Sequence, residues 1–409
     1  MRDLTVFDLI VIGGGAAGFF GAIQSAEMRP GLKIIILEKT TKLLSKVRIS
    51  GGGRCNVTHH CFEPTELSYH YPRGQKPLKT LFRKYQAADT VKWFEQKGVT
   101  LKTEEDGRMF PITDDSETII ECFLAQAKQH SITIERNAGV EEIQKTKEGF
   151  EVLCDQKKFK SKKILVALGG HPNANAYAFL KKIGHTIVPP IPSLFTFNDS
   201  QKEFKDLMGV AVANGVVRIA GTKFFQQGPI LITHWGLSGP AVIKLSAWAA
   251  EYFHEHKYEA TVLVSWIKET QEEFVRKFLT EYKTTNKKRK IYSHPLYELP
   301  QRLWIRLCEL AEIEEQKIWD ELANKNLNKL LELLIRCPFK IKGKTTFKEE
   351  FVTCGGVDLA EVDTETMESR KIKNLFFAGE VLNIDGETGG FNFQAAWSTA
   401  YVAAKNIST

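Results

Sequence analysis

Three glycines near the start of the chain have the spacing of a phosphate-binding turn. Gly13, Gly15 and Gly18 lie in the stretch FDLIVIGGGAAG, and the acid Glu38 follows twenty residues after the last of them. In this motif the first glycine permits a tight turn, the second lets the backbone approach a pyrophosphate, and the third lets helix and strand pack closely. The spacing therefore predicts a dinucleotide site in which Glu38 binds a ribose diol.

The elements that must position these residues are a strand, a helix and a second strand. Residues 7–12 form a short run rich in Ile and Val, which predicts a buried strand. A helix is predicted from 16 to about 27, and its N-terminus presents unpaired N–H groups and a partial positive charge to the pyrophosphate. The apolar run 33–37 predicts the second strand, which ends at Glu38.

Further glycine clusters provide backbone N–H groups beside polar side chains. Gly51, Gly52 and Gly53 precede Arg54 and Asn56, and such a nest suits a phosphate or the polar edge of a flavin ring. The stretch DGETGGFNFQ, residues 385–394, leads into a predicted final helix at 391–406, whose positive end suits an electron-rich flavin carbonyl. Another glycine pair, 169–170, follows a predicted strand at 163–168, where a doubly wound fold brings a loop to its cofactor.

The intervening segments are interpreted from their apolar periodicity and turn residues. The predicted helices are 78–98, one capped by Asp115 or Ser116 that ends near 130, and several within 269–334, where Trp304 and Trp319 are assigned to the core. Residues 107–111 are predicted to form a turn, and 132–134, 140–144 and 150–154 a small meander. The remaining predicted strands are 210–225, 229–233, 260–266 and 372–378.

The pattern predicts an α/β fold with a discontinuous nucleotide-binding domain and an insert. The stretch PPIP at 189–192 is predicted to be a stiff connector at the first boundary of the insert. The nucleotide-binding domain is expected to comprise residues 1–190 and 346–409. The insert, 191–345, is expected to contain a β-barrel at about 191–267 and a helical subdomain at about 268–345.

The composition is that of a globular protein with two or three domains. The 409 residues include 56 Lys and Arg against 49 Asp and Glu, a net charge of +7 that only mildly favours anionic ligands. The run KKRK at 287–290 lacks interleaved aromatic residues and predicts a solvated loop. Seven cysteines without CxxC pairs indicate a reducing compartment and no structural zinc. No apolar run is long enough to span a membrane, so we expect a cytoplasmic protein.

Several blocks along the chain together resemble one family. Besides the first glycine motif, they are SGGGRCNVT (50–58), GRMFP (107–111), THWGLSGP (233–240), TCGGV (353–357), TMES (366–369) and the stretch 379–394. They resemble the bacterial NAD(P)/FAD-dependent oxidoreductase family, which includes aminoacetone-oxidase-like proteins and 3-dehydro-bile-acid Δ4,6-reductases. The resemblance implies an FAD cofactor, a glutathione-reductase-type Rossmann domain, and an inserted β-barrel plus helical subdomain that covers the flavin.

The resemblance also implies which residues contact the cofactor. The glycine motif would hold the pyrophosphate, Glu38 and Lys39 the adenosine ribose region, and residues 50–56 and 389–394 the isoalloxazine and ribityl end. The complete set of implied cofactor-binding residues is Gly13, Gly15, Ala17, Gly18, Glu38, Lys39, Lys46, Ser50, Gly51, Gly52, Gly53, Arg54, Cys55, Asn56, Val140, Ala167, Gly169, Gly170, Gly379, Glu380, Asp385, Gly389, Gly390, Phe391, Asn392 and Gln394.

The chain departs from the family pattern at three places. His59 stands where Asn is usual, Leu168 where Thr is usual, and the block FNFQ at 391–394 where Tyr-Asn-Leu-Gln is usual. None of these departures conflicts with FAD binding, and any of them can mark a different substrate.

A flavin would make the protein an oxidoreductase that exchanges a hydride with a small organic substrate. No distinct catalytic acid or base is evident, and His234 is a candidate proton relay whose alternative is a hydrogen-bonded structural histidine in a turn. Only one GxGxxG is present, so NAD(P)H, if it is the reductant, must dock directly on the flavin. Reduction by the organic substrate followed by reoxidation by oxygen is equally compatible.

Two other functions are compatible with parts of the sequence. Cys55 and Cys61 lie where flavin disulfide reductases keep a redox pair, but their CxxxxxC spacing and the missing second nucleotide domain disfavour that class. The alternative from another class is a flavin-dependent binding or sensing protein without turnover, with RNA contacting the loop 287–290. The expected partner is a small-molecule substrate, and nucleic acid is the less favoured partner.

Overall fold

The computed structural model describes residues 5–155, 157–345 and 352–409. The described residues form two compact units, one that runs up to Ser193 and resumes at Val352, and one from Leu194 to Thr345. Each unit has its own hydrophobic core. The predicted return to the first domain at residue 346 lies outside the described residues.

The strands, in chain order, are β1 (Val6–Ile12), β2 (Ile34–Leu37), β3 (Thr58–His59), β4 (Leu101–Thr103), β5 (Arg108–Pro111), β6 (Thr133–Glu135), β7 (Val140–Lys145), β8 (Phe150–Cys154), β9 (Lys157–Val166), β10 (Ile187–Ser193), β11 (Thr196–Asp199), β12 (Ala211–Ile219), β13 (Phe225–Ile232), β14 (Gly236–Ser238), β15 (Glu259–Ser265), β16 (Cys337–Thr345), β17 (Val352–Val357), β18 (Val362–Asp363), β19 (Glu368–Ser369) and β20 (Leu375–Phe377).

The α-helices are α1 (Ala16–Met28), α2 (Ser45–Gly53), α3 (Pro64–Ser68), α4 (Gln75–Phe82), α5 (Ala87–Gln96), α6 (Glu117–Gln129), α7 (Ala178–Lys182), α8 (Pro240–Trp248), α9 (Ala250–Glu255), α10 (Glu272–Thr285), α11 (Gln301–Leu310), α12 (Asn324–Arg336) and α13 (Phe391–Ile407). Short 3₁₀ turns are Ala174–Tyr177, Lys205–Leu207, Trp319–Glu321, Leu359–Glu361 and Gly379–Val381.

The first unit is built on a mainly parallel sheet with the order β18-β19-β20-β9-β1-β2-β6. Strand β1 runs parallel to both β2 and β9, and β20 is parallel to β9. The central strands are apolar along their length because both faces of the sheet are covered. Helix α1 lies close to the sheet because Gly21 has no side chain: a Cβ there would lie 2.5 Å from Cδ2 of Leu165 and 3.6 Å from Cβ of Ala400 on α13.

Smaller pieces complete the first unit. Strands β7 and β8 form an antiparallel meander with β9, while β3, β5 and β4 form a separate antiparallel sheet. Strand β10 pairs antiparallel with β17, so the chain segments on either side of the second unit are joined by a ladder.

The second unit contains a closed barrel with the order β11-β14-β13-β12-β15-β16. Helices α10, α11 and α12 belong to the same unit, and their apolar stripes are buried. Trp304 and Trp319 are fully buried, as predicted, and Nε1 of Trp304 donates to the carbonyl oxygen of Ile291 at 2.8 Å. The predicted fold class, a Rossmann-type α/β domain with a β-barrel, is confirmed.

Several local predictions are wrong. Residues 108–111 form strand β5 rather than a turn, because pairing with β3 and β4 supplies partners that the local sequence does not reveal. The segment near 132–134 does not join the meander, since β6 extends the parallel sheet beside β2. The proline-rich connector is strand β10: Pro189 and Pro190 fall where the ladder with β17 is irregular, and Pro192 lies opposite Thr353 in a two-stranded sheet, where both strands are edges.

Two predicted elements are each divided in the structure. The helix at 78–98 is two helices, α4 and α5, and α5 begins anew with Gln86 and Asp89 in a capping box. The strand at 210–225 ends at Ile219, and β13 begins at Phe225 after a turn.

Candidate functional site

The first glycine motif has the geometry that a pyrophosphate requires. Gly13 has φ +113°, and a Cβ there would lie 2.4 Å from the carbonyl oxygen of Ala167. A Cβ on Gly18 would lie 1.9 Å from the carbonyl oxygen of Gly13. In contrast, a Cβ on Gly15 would have no atom within 4 Å. The first and third glycines are therefore needed for packing, whereas Gly15 faces open space that a ligand can fill.

The N-terminus of α1 fits an anion. Gly15 is its N-cap, and no side chain caps the helix, so its first N–H groups keep the partial positive charge that attracts phosphate. Glu38 is held in place at the end of β2: its Oε2 accepts from the N–H of Gly14 at 2.9 Å, and its Oε1 accepts from the N–H of Thr40 at 2.8 Å. The residues present fit the dinucleotide part of FAD.

The C-terminal end of α2 departs from helical geometry at its glycines. Ser50 is extended, and Gly51, Gly52 and Gly53 have φ values of +59°, +70° and +86°. A Cβ on Gly51 would lie 2.8 Å from Cε1 of Phe110, whereas Gly52 and Gly53 face open space. The segment that was predicted as a loop is therefore the end of a helix that opens into left-handed backbone with exposed N–H groups.

Arg54 is engaged within the protein. Its guanidinium lies 4.0 Å from the centre of the Phe110 ring, and Nη1 donates to Oε1 of Glu104 at 2.6 Å. The side chain of Arg54 therefore contacts residues on and beside the sheet of β3, β5 and β4. The predicted contact of Arg54 with a flavin stays a prediction, and we expect it to be made by the backbone.

Cys55 is a buried, unreactive thiol. Its backbone has φ +62°, and burial raises the pKa of its thiol to about 12, although a hydrogen bond with Ser50 acts in the opposite direction. Cys55 and Cys61 are both free. A thiolate is the species that attacks a disulfide, so this geometry disfavours the disulfide-reductase alternative.

The N-terminus of α13 is a second uncapped helix end. Its N-cap is Gly390, with φ +93°, and no side chain caps the helix. With its amide oriented to satisfy both partners, Asn56 donates to the carbonyl oxygen of Thr58 at 3.0 Å and accepts from the N–H of Gly390 at 2.9 Å. The loop 50–56 and the start of α13 are therefore joined, and the helix N-terminus carries a partial positive charge; its contact with a flavin carbonyl stays a prediction.

Two residues that were predicted to contact the cofactor, Gln394 and Asn392, instead hydrogen-bond through their side chains to other residues of the protein. The amide of Gln394 is fully buried; it accepts from Oγ1 of Thr58 at 2.6 Å and of Thr90 at 3.0 Å, and it donates to Ser398. Asn392 accepts from the N–H of Gly386 at 2.8 Å and donates to the carbonyl oxygen of the same residue at 2.9 Å. Both side chains fix the shape of the loop.

Acidic residues of the C-terminal segment are paired. Oε2 of Glu380 lies 2.6 Å from Nζ of Lys46 and accepts from the N–H of Gly170 at 3.2 Å. Asp385 is fully buried; it pairs with Arg73, and it accepts from Oγ of Ser193 at 2.8 Å. Burial raises the pKa of the Asp385 carboxyl, and Arg73 and Ser193 offset part of this rise.

The structure places the other predicted residues as follows. Ala17 packs under Gly379, where a Cβ would lie 2.9 Å from that of Ala17. Lys39 is exposed and Val140 begins β7. Phe391 is buried as the first residue of α13. Gly389 has φ +125°.

His234 belongs to the second unit. It is exposed between β13 and β14, and its ring lies edge-on to Trp235 at a centroid distance of 4.3 Å. Its role as a proton relay stays a prediction.

The sequence did not identify one cluster of the first unit. His59, His70 and Phe391 bring their rings together, and Glu387 pairs with His70. The departure from the family pattern at His59 could have drawn attention to this cluster. The residues around His70 and Glu387 form no motif that would have indicated their pairing.

The described ranges contain neither a candidate membrane span nor a candidate metal site. Across these ranges, no helix is long and apolar enough to cross a membrane. No group of three or more His, Cys, Asp and Glu side chains in the same ranges could hold a metal ion.

Two named relatives match this chain along almost its whole length. A relative from Clostridium scindens, named 3-dehydro-bile acid delta(4,6)-reductase, is 27% identical over 405 residues and covers 97% of both chains. One from Escherichia coli, named ribosomal RNA dihydrouridine synthase, is 28% identical over 410 residues and covers 98% of both. Because both relatives are named as enzymes, the prediction of an enzyme is confirmed.

Solved structures agree at the level of the fold. The 3-ketosteroid-delta4-(5alpha)-dehydrogenase of Rhodococcus jostii RHA1 superimposes with a TM-score of 0.54 at 11% identity, covering 99% of this chain and 98% of that one. The family model described as the HI0933-like protein Rossmann domain matches residues 7–406. The chain therefore belongs to the HI0933-like family of FAD-type Rossmann proteins, which confirms the resemblance found in its sequence motifs.

Proposed function

We propose that this protein is an FAD-dependent reductase that adds a hydride and a proton to a carbon–carbon double bond conjugated with a carbonyl group. The observation that carries the FAD assignment is the uncapped end of α1, where Gly15 faces open space and Glu38 is held nearby by the Gly14 N–H. When bound, FAD would supply the hydride.

The substrate chemistry comes from what two relatives share. A 3-oxo-Δ4,6 bile acid and a uridine base look unlike each other, but each carries a double bond conjugated with a carbonyl. The names of the two relatives imply that this bond is reduced. We therefore propose the conjugated double bond as the reacting group, and a small organic molecule as the first substrate class to test.

The protein's own residues would bind and orient the cofactor. The N–H groups at the start of α1 would bind the pyrophosphate, and Glu38 would bind the ribose diol. The N-terminus of α13 would place partial positive charge at a flavin carbonyl, which stabilises negative charge that develops during reduction. Because the sequence has only one GxGxxG, we propose that NAD(P)H, as the reductant, docks directly on the flavin.

RNA is the second candidate substrate, and the name of the E. coli relative is the observation that favours it. The exposed run Lys287, Lys288, Arg289 and Lys290 would be a contact for its phosphates. RNA binding without turnover is the remaining alternative. Either form of RNA binding predicts an affinity that falls steeply with salt concentration.

Product analysis would separate these candidates. The photoreduced, FAD-loaded protein is mixed, in the absence of oxygen, with a 3-oxo-Δ4,6 steroid acid or with a ribosomal RNA transcript. The molecular masses of the products are then measured by mass spectrometry. A gain of two hydrogens on either probe supports the proposal and identifies the class. Salt-dependent binding of the transcript without a mass gain supports the binding protein, and no change in either probe contradicts the reductase.

The seven cysteines are free in the structure, as expected in a reducing compartment. We therefore propose a cytoplasmic location.

A further inference from the structure

A histidine–carboxylate pair lies beside the N-terminus of α13. Nδ1 of His70 lies 3.0 Å from Oε2 of Glu387. The backbone N–H of Glu387 also donates to the carbonyl oxygen of His70 at 2.9 Å. The two segments therefore hold each other through both backbone and side chains, and the imidazole of His70 has a fixed orientation.

The imidazole is held on its face by an aromatic ring. His70 stacks on Phe391 with a centroid distance of 4.2 Å and an interplanar angle of 14°. The side chain of His70 keeps 33% of its accessible surface, whereas that of Glu387 keeps only 7%. In the part of the chain that the structure describes, we find no hydrogen bond to Nε2 of His70. This nitrogen can therefore exchange a proton with solvent or with a bound molecule.

His59, although adjacent, is not equivalent. Its Nδ1 lies 3.0 Å from the carbonyl oxygen of Gly389. A Cβ on Gly107 would lie 2.5 Å from its Nε2, so that nitrogen faces backbone at close range. The geometry gives His59 a role in holding Gly389, and it leaves His70 as the imidazole with an accessible nitrogen.

The position of the pair relates it to the cofactor site. Glu387 and Phe391 both lie in residues 385–394, the segment that ends at the uncapped helix N-terminus. Arg73 and Asp385, which form a buried ion pair with each other, lie close along the chain to His70 and Glu387, and the centroid of the His59 ring lies 6.1 Å from that of His70. The carboxylate that contacts the imidazole of His70 is that of Glu387.

We propose that His70 is the acid that protonates the substrate, and that Glu387 is the residue that positions it; this inference rests on the proposed function. When bound, FAD would supply the hydride that forms a C–H bond at the β carbon, and the electron pair of the double bond would move toward the carbonyl. The Nε2–H bond of His70 then breaks, and its proton forms the second C–H bond at the α carbon. His70 is left neutral and regains a proton from solvent.

The test separates the two half-reactions of the FAD-loaded protein. His70→Gln keeps a polar side chain without an ionisable ring, and Glu387→Gln keeps the shape of the positioning residue. His60→Gln is the matched control, because His60 is an exposed histidine of the same segment that contacts Phe62. Chemical or NADPH reduction of the flavin is measured first, and reoxidation by the steroid acid or the RNA transcript is measured second.

We expect His70→Gln to be reduced at the wild-type rate and to be reoxidised about a hundredfold more slowly. Its maximal rate should fall without a matching change in the acceptor concentration for half-maximal rate. Glu387→Gln should show a smaller loss of the same kind, and His60→Gln none. Melting temperature and flavin spectrum report whether each variant is folded and loaded, and if His70→Gln fails to fold, Glu387→Gln carries the test.

A second readout does not depend on turnover. The oxidised, FAD-loaded protein is treated with diethyl pyrocarbonate, and modified histidines are mapped by mass spectrometry with and without the acceptor probe. The proposal predicts that the probe protects His70 but not His60.

Equal modification of His70 with and without the probe, together with unchanged reoxidation of His70→Gln, would overturn the assignment of the acid and leave the reductase in place. A reduced wild-type protein that neither probe reoxidises would overturn the proposed function and this inference together.

Discussion

The imidazole of His59 stacks on the ring of Phe391, with a centroid distance of 4.5 Å and an interplanar angle of 26°. Both residues stand at places where the chain departs from the pattern of its family, one expected to be Asn and the other Tyr. The structure brings the two departures into contact, so together they form one local change in this cluster. Since His70 stacks on the same ring, the change alters the surroundings of the proposed acid.

A double-mutant cycle tests this coupling. His59→Asn and Phe391→Leu each remove one ring of the stack, and the double variant removes both. Stacked aromatic pairs contribute about 1 kcal/mol beyond their buried area, so we expect a coupling free energy of about that size from urea unfolding of the four proteins. Strictly additive losses would mean that the two rings do not stabilise each other.

Two glycine substitutions separate cofactor binding from folding. Gly15→Ala places a Cβ in open space, and the φ of −95° at Gly15 suits alanine. We expect the free energy of unfolding of the FAD-free protein to change by less than about 0.5 kcal/mol. FAD affinity should fall about tenfold or more, which corresponds to about 1.4 kcal/mol. Fluorescence titration with FAD measures this loss.

Gly18→Ala is the matched variant, because its Cβ would lie 1.9 Å from the carbonyl oxygen of Gly13. It should destabilise the FAD-free protein by about 1–3 kcal/mol, since the backbone must shift. Full FAD affinity in Gly15→Ala would show that no ligand approaches the backbone there.

Removal of Arg73 should destabilise the protein strongly. Asp385 is fully buried, and Arg73→Ala leaves its carboxylate without a countercharge, which costs about 3–5 kcal/mol. Burial already raises the pKa of Asp385 in the folded protein, and Arg73 opposes this rise. Without Arg73 the folded state favours the protonated acid more strongly, so the loss grows as the pH rises. Urea unfolding of wild type and variant at pH 5 and pH 8 measures the two differences. Arg73→Ala combined with Asp385→Asn is the control, and a loss independent of pH would argue against a buried charge.

Acid should destabilise the first unit in two steps. Burial lowers the pKa of His185 below its ordinary 6.5, so stability is complete above that pH and falls as the pH drops below it. Burial acts to raise the pKa of Glu361, but hydrogen bonds from Lys371, Thr186 and His185 outweigh it and lower the pKa to about 2. The contribution of Glu361 is therefore present above about pH 4.5 and is lost toward pH 2.

Glu361→Gln tests the lower of these steps. Urea unfolding from pH 7 to pH 3 should show a flatter dependence below about pH 4.5 in the variant than in wild type, because the titrating carboxyl is gone. Parallel curves in that range would mean that Glu361 does not stabilise the folded state through its charge.

Thiol titration checks the redox state of the cysteines. Since Cys55 and Cys61 are free, the number of thiols that react in denaturant should be the same before and after treatment with a reductant. A gain of two thiols on reduction would reinstate the disulfide-reductase alternative.

The local parts of the site could be predicted from the sequence. The strand, helix and strand around Gly13–Gly18 follow from short apolar runs and glycine spacing, and the structure places them within one or two residues of the predicted bounds. The uncapped start of α13 follows from Gly390 in the same way. These features depend on residues that are neighbours in the sequence, so a single sequence is enough to predict them.

Features that depend on distant residues could not be predicted. Strand β5 forms because β3 and β4 flank it, and the proline-rich segment becomes strand β10 because β17 pairs with the residues on both sides of Pro189 and Pro190. The pairs of Arg73 with Asp385 and of His70 with Glu387 join opposite ends of the chain. No local pattern marks such partners, and only the fold brings them together.

The most direct test of the account is anaerobic stopped-flow absorbance of the yellow, FAD-loaded protein mixed with NADH or NADPH and then with the 3-oxo-Δ4,6 steroid acid or the RNA transcript. The account predicts rapid bleaching of the oxidised flavin band by one nicotinamide and its return when a conjugated acceptor is added. A band that neither nicotinamide bleaches, but that an amine or similar donor does, would contradict the reductase and indicate an oxidase on the same scaffold.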